Sequence, residues 1–298
     1  MRYIVGYPEI QGADGDLLDN GDVGELAAVA EASGWHGFAL TEHPIPGARW
    51  LENGGHQTLD PFVGLAFAAA ATSTIKLLTY LIVLPYRNPF LTAKAAATLD
   101  RLSHGRLILG VGTGYQKSEF FALGVDIDER NALFDEALDV MPLAWTGEPF
   151  SFDGRHFSAR DVVAKPPSAQ QPIPIWIGGN SRQTLRRVAE KAQGWMPLGG
   201  TPLLAKTSKT AHIASREDLR IKIDQVRSDA GSRSIDIACG YTEFRSGVSR
   251  EDVERHREAL AELEDCGVTW VQIEAPKGEA GEVADWVGWF GETFITAS

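Results

Sequence analysis

Only two cysteines, Cys239 and Cys266, occur in 298 residues. They form no disulfide framework and read as small core residues of a reducing compartment. No apolar run approaches the ~20 residues that cross a bilayer. The start, Met1-Arg-Tyr-Ile-Val-Gly6, lacks the apolar stretch and small-residue cleavage site of a secretory leader. A cytoplasmic protein is the expectation. Basic residues are in short supply: 28 Lys and Arg stand against 40 Asp and Glu, a formal net charge of −12. Such a surface repels nucleic acid and anionic membranes, so neither is expected as a partner. The seven histidines are scattered, with no H-x-x-x-H and no C-x-x-C, and no metal centre is expected. A G-x-S-x-G elbow and a G-x-x-x-x-G-K-[ST] loop are also missing.

What the chain has is alternation. Hydrophobic residues make up 44%, enough for one large core. Short apolar runs read as strands over Tyr3–Gly6, Gly37–Leu40, Lys76–Val83, Arg106–Val111, Ile173–Gly178, Gly194–Pro197, Ile235–Gly240 and Trp270–Glu274. Between and after them lie helical patterns over Asp22–Ser33, Asp60–Thr72, Pro89–Leu102, Glu129–Trp145, Arg182–Lys191, Arg216–Ala230, Ser249–Cys266 and Ala280–Phe294. Eight strand–helix repeats favour an α/β fold of the (β/α)8 TIM-barrel type over an open sheet. Residues 1–298 read as one domain. Two insertions interrupt the repeat. Thr146–Pro172, after strand four, contains a hairpin pattern at Phe150–Phe157 with an Asp-Gly turn. Gly199–His212, after strand six, reads as a loop and a mobile lid.

Barrel ligands bind at the carboxyl ends of the strands. The run Arg106-Leu-Ile-Leu-Gly110-Val-Gly112-Thr113-Gly114-Tyr115 is a buried strand that ends in glycines. Glycine lets backbone N–H groups approach an anion. A G-x-G-x-x-G fingerprint fails here because position 115 is tyrosine, so the run reads as a phosphate cradle and not a Rossmann turn. Gly178-Gly179-Asn180-Ser181 leads into a helix. It reads either as a second anion turn or as a tight turn with an ordinary N-cap. Glu42-His43 ends strand two, and His43 is either a proton-transfer group or a hydrogen-bonded loop histidine. Tyr115 either donates to a ligand or packs over it. Arg87 either pairs with an acid or is a surface charge. Arg49, Trp50, Phe120 and Phe121 suggest a partly aromatic pocket, in the loops 44–59 and 117–127. Trp176 and Trp195 read as barrel or mouth packing.

Four segments carry a family resemblance. They are Phe38-Ala-Leu-Thr-Glu42-His43-Pro44, Leu84-Pro85-Tyr86-Arg87-Asn88-Pro89, Ala97 through Tyr115, and Pro174-Ile-Trp176-Ile-Gly178-Gly179-Asn180-Ser181. Over nearly all its length the chain resembles the bacterial luciferase-like flavin and deazaflavin oxidoreductases. Within them it looks most like the actinobacterial branch assigned to coenzyme F420. The resemblance implies a ring in the barrel mouth, with its ribityl chain and phosphate held at Gly112, Thr113, Gly114 and Tyr115 and at Gly178, Gly179, Asn180 and Ser181. It implies a non-prolyl cis peptide behind the ring, whose counterpart is Tyr80–Leu81 with Thr79 beside it. It implies that His43 is catalytic, with Glu42 orienting it. Family dehydrogenases carry glutamate where Tyr115 stands, so the resemblance does not carry their substrate and proton route over to this chain.

The expected function is F420-dependent hydride transfer to or from a small organic substrate. The alternatives are an FMN-dependent monooxygenase fed by a partner flavin reductase, and a non-catalytic flavin-binding barrel. A homodimer is a further expectation from the family.

Overall fold

The glycines of the central run alternate with large residues because the strand has two different faces. In β5 (Leu107–Gly112) the side chains of Leu107, Leu109 and Val111 point out to the helices, and Ile108 points in. Gly110 and Gly112 share the inward face of Ile108, as the period of two requires. A β-carbon on Gly110 would stand 2.0 Å from the Thr79 carbonyl oxygen.

The computed structural model describes residues 1–12, 14–241 and 252–296. It contains a closed parallel barrel of eight staves. These are β1 (Arg2–Gly6), β2 (Gly37–Leu40), β3 (Lys76–Thr79), β5, β8 (Ile175–Gly178), β9 (Gly194–Met196), β10 (Asp236–Gly240) and β11 (Trp270–Glu274). The β1–β11 and β3–β5 pairings close the cylinder. β5 and β8 are neighbours, with Val111 opposite Ile177.

The expected strand over residues 76–83 is in two pieces. A cis peptide at Tyr80–Leu81, as the resemblance implied, separates β3 from β4 (Ile82–Val83). Eight buried side chains fill the barrel, one from each stave: Ile4, Ala39, Leu78, Ile108, Trp176, Met196, Ala238 and Trp270. Trp176 lies over Gly194, where a β-carbon would come within 2.3 Å of its ring. It meets Trp270 edge-on at 5.4 Å.

Helices wrap the outside. α1 (Val23–Ala32) is capped by Asp22, whose carboxylate accepts from the N–H groups of Gly24 and Glu25. α3 (Pro61–Ala71) is apolar on all sides, and its outward stripe Val63, Ala66, Phe67 and Ala70 is exposed. α4 (Pro89–Leu102), α6 (Arg130–Trp145), α7 (Arg182–Lys191), α9 (Arg216–Ala230), α10 (Val253–Asp265) and α11 (Ala280–Phe290) complete the ring. The start of the expected helix over 249–266 lies outside the described residues.

Three expected loops carry short helices. Residues 44–59 contain α2 (Ala48–Glu52), residues 117–127 contain α5 (Lys117–Ala122), and residues 199–212 contain α8 (Pro202–Thr207). The hairpin is β6 (Phe150–Asp153) and β7 (Ser158–Val162), joined by residues 154–157 and not by a two-residue Asp-Gly turn. The Glu136 carboxylate explains the longer loop, since it accepts the N–H groups of Arg155, His156 and Phe157.

Among the described residues no helix is long and apolar enough to cross a membrane, and no cluster of His, Cys, Asp or Glu could hold a metal ion. Both cysteines are buried and free.

Candidate functional site

At the carboxyl ends of the staves lies a cavity of about 600 Å³. That is within the roughly 300–1,000 Å³ usual for small-molecule sites. The two glycine turns share its wall: Gly112, Thr113, Gly114 and Tyr115 come from the end of β5, and Gly178, Gly179 and Ser181 from the end of β8. Tyr80, Leu81, Glu42 and His43 also line it. Thr79 and Asn180 do not. Thr79 is fully buried, and its hydroxyl donates to the Gly110 carbonyl at 2.8 Å.

Asn180 is 1% exposed, and its polar groups are already engaged. Its amide nitrogen donates to the carbonyls of Leu198 and Ala211, and its amide oxygen accepts from the Leu198 N–H. Its backbone N–H donates to the Thr210 hydroxyl at 2.7 Å. Asn180 therefore ties both ends of the α8 segment to the turn. The N–H of Gly179 donates to the Met196 carbonyl, and its carbonyl accepts the indole N–H of Trp195 at 2.7 Å. Trp195 packs outside the barrel and fixes the turn from behind.

On this wall Ser181 caps α7. Its hydroxyl accepts the Thr184 N–H at 3.0 Å and lies 2.8 Å from the Thr184 hydroxyl. Ser181, Thr184, Lys209 and Thr210 all line the cavity, where the positive end of the α7 dipole opens. Sequence reasoning missed Thr184, Lys209 and Thr210. Thr184 could have been found, as it is the third residue after the predicted cap.

The pairing at the end of β2 differs from the expectation. Glu42 does not orient His43. Successive residues leaving a strand point to opposite sides, so the two side chains diverge. The Glu42 carboxylate accepts the Val83 N–H at 2.7 Å and the Arg87 Nε–H at 3.0 Å, with Arg87 Nη2 on the same oxygen. Arg87 Nη2 also donates to Asp60 at 2.7 Å, so its pairing reading holds. Burial pushes the Glu42 carboxyl above the ordinary carboxylate range, against the pull of Arg87 and the Val83 N–H.

The partner of His43 is Glu119, 76 residues away on α5. Its Oε2 lies 3.2 Å from His43 Nδ1. Glu119 is fully buried and also accepts the Tyr86 hydroxyl at 2.9 Å. It was missed because residues 117–127 read as a loop. The available signal was an acid one helical turn beyond Tyr115.

An aromatic group surrounds the His43 ring: Trp50 at 4.5 Å, His56 at 5.1 Å and Tyr115 at 6.2 Å. Trp50 lies flat on Gly55, where a β-carbon would come within 2.2 Å of its ring. The loops after β1 and β2 are stitched together by a Gln11–His56 bridge and by Gly12 N–H donating to Gly55 O at 2.8 Å. Trp50 is thus a cavity residue as expected. Arg49 is exposed, Phe121 is 90% exposed, and Phe120 is buried behind Gly114. Burial, with Glu119 and Glu9 adding to it, pushes the Tyr115 phenol up to about 12, so it keeps its proton at neutral pH. Gln272 and Glu274 line the cavity from β11. Their inward direction follows from the alternation that points Trp270 into the barrel.

The closed cylinder and its carboxyl-end cavity define a (β/α)8-barrel protein with a cavity at the mouth. The chain belongs to the luciferase-like monooxygenase family, whose model matches residues 8–260. It is 33% identical over 183 residues to an uncharacterized protein of Mycobacterium tuberculosis, covering 57% of this chain and 65% of the relative. It is 28% identical over 263 residues to the FMNH(2)-dependent dimethylsulfone monooxygenase of Pseudomonas putida, covering 87% of this chain and 65% of that protein. The matches thus span just under two thirds of these relatives' own length.

Among solved structures the monooxygenase RslO1 of Streptomyces bottropensis has a TM-score of 0.77 at 22% identity, covering 100% of this chain and 99% of that one. An F420-dependent secondary alcohol dehydrogenase, solved with an F420-acetone adduct, has a TM-score of 0.74 at 17% identity and covers 100% of both chains. At these identities the structures show the shared fold. The neighbours include proteins named for F420 and proteins named for FMN.

Proposed function

We propose that this chain is an oxidoreductase that moves a hydride between coenzyme F420 and a small organic substrate bearing a hydroxyl or carbonyl group. The observation that carries the reading is His43. It lines the cavity with Nδ1 engaged by Glu119, so Nε2 is the ring nitrogen left to serve a ligand. That nitrogen takes the substrate proton on oxidation and returns it on reduction.

The donor set fits the coenzyme. The hydroxyls of Ser181, Thr184 and Thr210, the Lys209 ammonium and the N-terminus of α7 suit a phosphate. Gly112, Thr113, Gly114, Gly178 and Gly179 suit the chain behind it. Leu81, Val83 and Met196 give an apolar wall for the ring, with the Tyr80–Leu81 peptide beside it. When bound, the coenzyme supplies the hydride chemistry, and the protein supplies placement and electrostatics. Tyr115, still protonated at neutral pH, lines the same cavity with a hydroxyl that can donate to a ligand.

A second reading is an FMN-dependent monooxygenase fed reduced flavin by a partner reductase. It is supported by the Pseudomonas putida relative, which matches 87% of this chain. Titrating the purified protein with F420 and with reduced FMN, read by fluorescence quenching, separates the two. Saturable F420 quenching with turnover on an alcohol panel supports the first reading. Binding of reduced FMN alone overturns it, and binding without turnover on any panel points to a carrier barrel. We place the homodimer contact on the uncharged outward stripe of α3, where Val63 and Phe67 are each 61% exposed.

A further inference from the structure

We propose that Glu119 is the positioning residue that decides which nitrogen of His43 carries the proton. Its functional meaning rests on His43 being the proton acceptor, but the tautomer itself does not. The Glu119 carboxylate is wholly enclosed, and three groups converge on it. Ile45 N–H lies 3.4 Å from Oε1, and the Tyr86 hydroxyl and His43 Nδ1 lie 2.9 and 3.2 Å from Oε2.

A neutral carboxyl could accept the Tyr86 hydroxyl and give its own hydrogen to Nδ1, but the Ile45 N–H and the Tyr86 O–H both donate to this group, and two donors favour the ionised form. An ionised carboxylate accepts from both groups on Oε2. Burial and the neighbouring Glu119 charge raise the Tyr86 phenol, so that group stays a donor. Nδ1 therefore bears the hydrogen, and Nε2 keeps its lone pair. The tautomer of an imidazole is set by the bond its other nitrogen makes.

The rest of the surroundings favour one ring orientation. Thr58 Oγ1 accepts the His43 backbone N–H at 2.9 Å, and Trp50, His56 and Tyr115 pack around the ring. The nearer carboxylate in sequence, Glu42, is committed to Arg87 and Val83.

The test needs no coenzyme. The full chain is labelled with ¹⁵N-histidine, and two-bond ¹H–¹⁵N correlations are recorded about two units above the ordinary histidine pKa of ~6.5. His43→Asn assigns the signals. The expected pattern is a pyrrole-type Nδ1 and a pyridine-type Nε2. In Glu119→Gln the side-chain NH₂ donates to Nδ1, so the pattern inverts, while Tyr86→Phe leaves it unchanged. A wild-type ring protonated at Nε2, or a Glu119→Gln ring identical to wild type, overturns the proposal. Should the Gln variant fold poorly, Glu119→Leu, which removes the acceptor at similar volume, replaces it. A mixed pattern is then expected, and an unchanged one overturns the assignment. With an active coenzyme–substrate pair, Glu119→Gln should lower turnover about 1,000-fold with coenzyme affinity kept. A failed coenzyme titration sinks the functional reading but leaves the spectroscopic result standing.

Discussion

Leu81 fills the space that a β-carbon on Gly178 would need, since that atom would stand 2.2 Å from Leu81 Cδ2. A β-carbon on Gly112 would stand 2.6 Å from Leu81 Cδ1. One side chain is therefore clasped by both glycine turns, and the glycines serve its packing as well as the open wall beside it.

This clasp predicts a graded response. In Gly178→Ala the obstacle is the tip of a side chain, and a cost of about 1–2 kcal/mol is expected. In Gly110→Ala the obstacle is backbone, the Thr79 carbonyl, and the cost should be at least about 3 kcal/mol. Denaturant unfolding measures both. Adding Leu81→Ala should rescue Gly178→Ala and not Gly110→Ala. Equal rescue of both would show that Leu81 is not the obstacle.

His43→Asn tests the proton route. Turnover should fall by about 10²–10⁴-fold, the usual weight of a general acid or base. Coenzyme affinity should stay near that of the wild type, because the donors proposed for the phosphate lie on α7 and the α8 segment. Stopped-flow rates with an equilibrium titration check both halves, and unimpaired turnover would remove His43 from the mechanism.

Arg87→Met strands the buried Glu42 carboxylate, an arrangement that costs about 3–5 kcal/mol when one partner of a buried pair is lost. The sign with pH follows from Glu42. Its folded carboxyl titrates above the unfolded value of 4.5, so the fold favours the protonated form. Stability from this group is lost as pH rises from there through the folded value. Without Arg87 the folded value climbs further and the loss spreads to higher pH. The variant should therefore be most impaired at pH 8 and least at pH 5, by thermal unfolding across that range. Glu42→Gln added to it should recover most of the difference.

Phe67→Lys puts a charge in the middle of the α3 stripe. If the proposed homodimer forms through this stripe, sedimentation should show a shift from dimer to monomer with the fold retained, since Phe67 is mostly exposed within one chain, and a monomeric wild type would sink the contact. An unchanged dimer would locate the contact elsewhere.

Much of this molecule was legible in the order of its residues. Leu107, Ile108, Leu109 and Val111 form a buried run of strand length, and seven similar runs alternate with helical patterns. That alternation admits few closed arrangements, which is why the barrel could be read in advance. Gly112 and Gly178 were read as places where an anion approaches the backbone; what the structure packs against both is a side chain, Leu81. That contact needed the barrel, because the residues meet only across β5 and β8. Lys76–Val83 read as one strand because apolar composition carries no sign of where a backbone turns.

The pairing of charges was decided by tertiary structure alone. Adjacency suggested Glu42 for His43, but side chains leaving a strand alternate in direction, and a partner is set by proximity in space. Glu119 reaches His43 because α5 folds back over the mouth, and Asn180 spends its amide on Leu198 and Ala211 because the α8 segment returns to the turn. Local pattern fixes which face each residue occupies, whereas contacts between segments far apart in sequence exist only once the chain has closed.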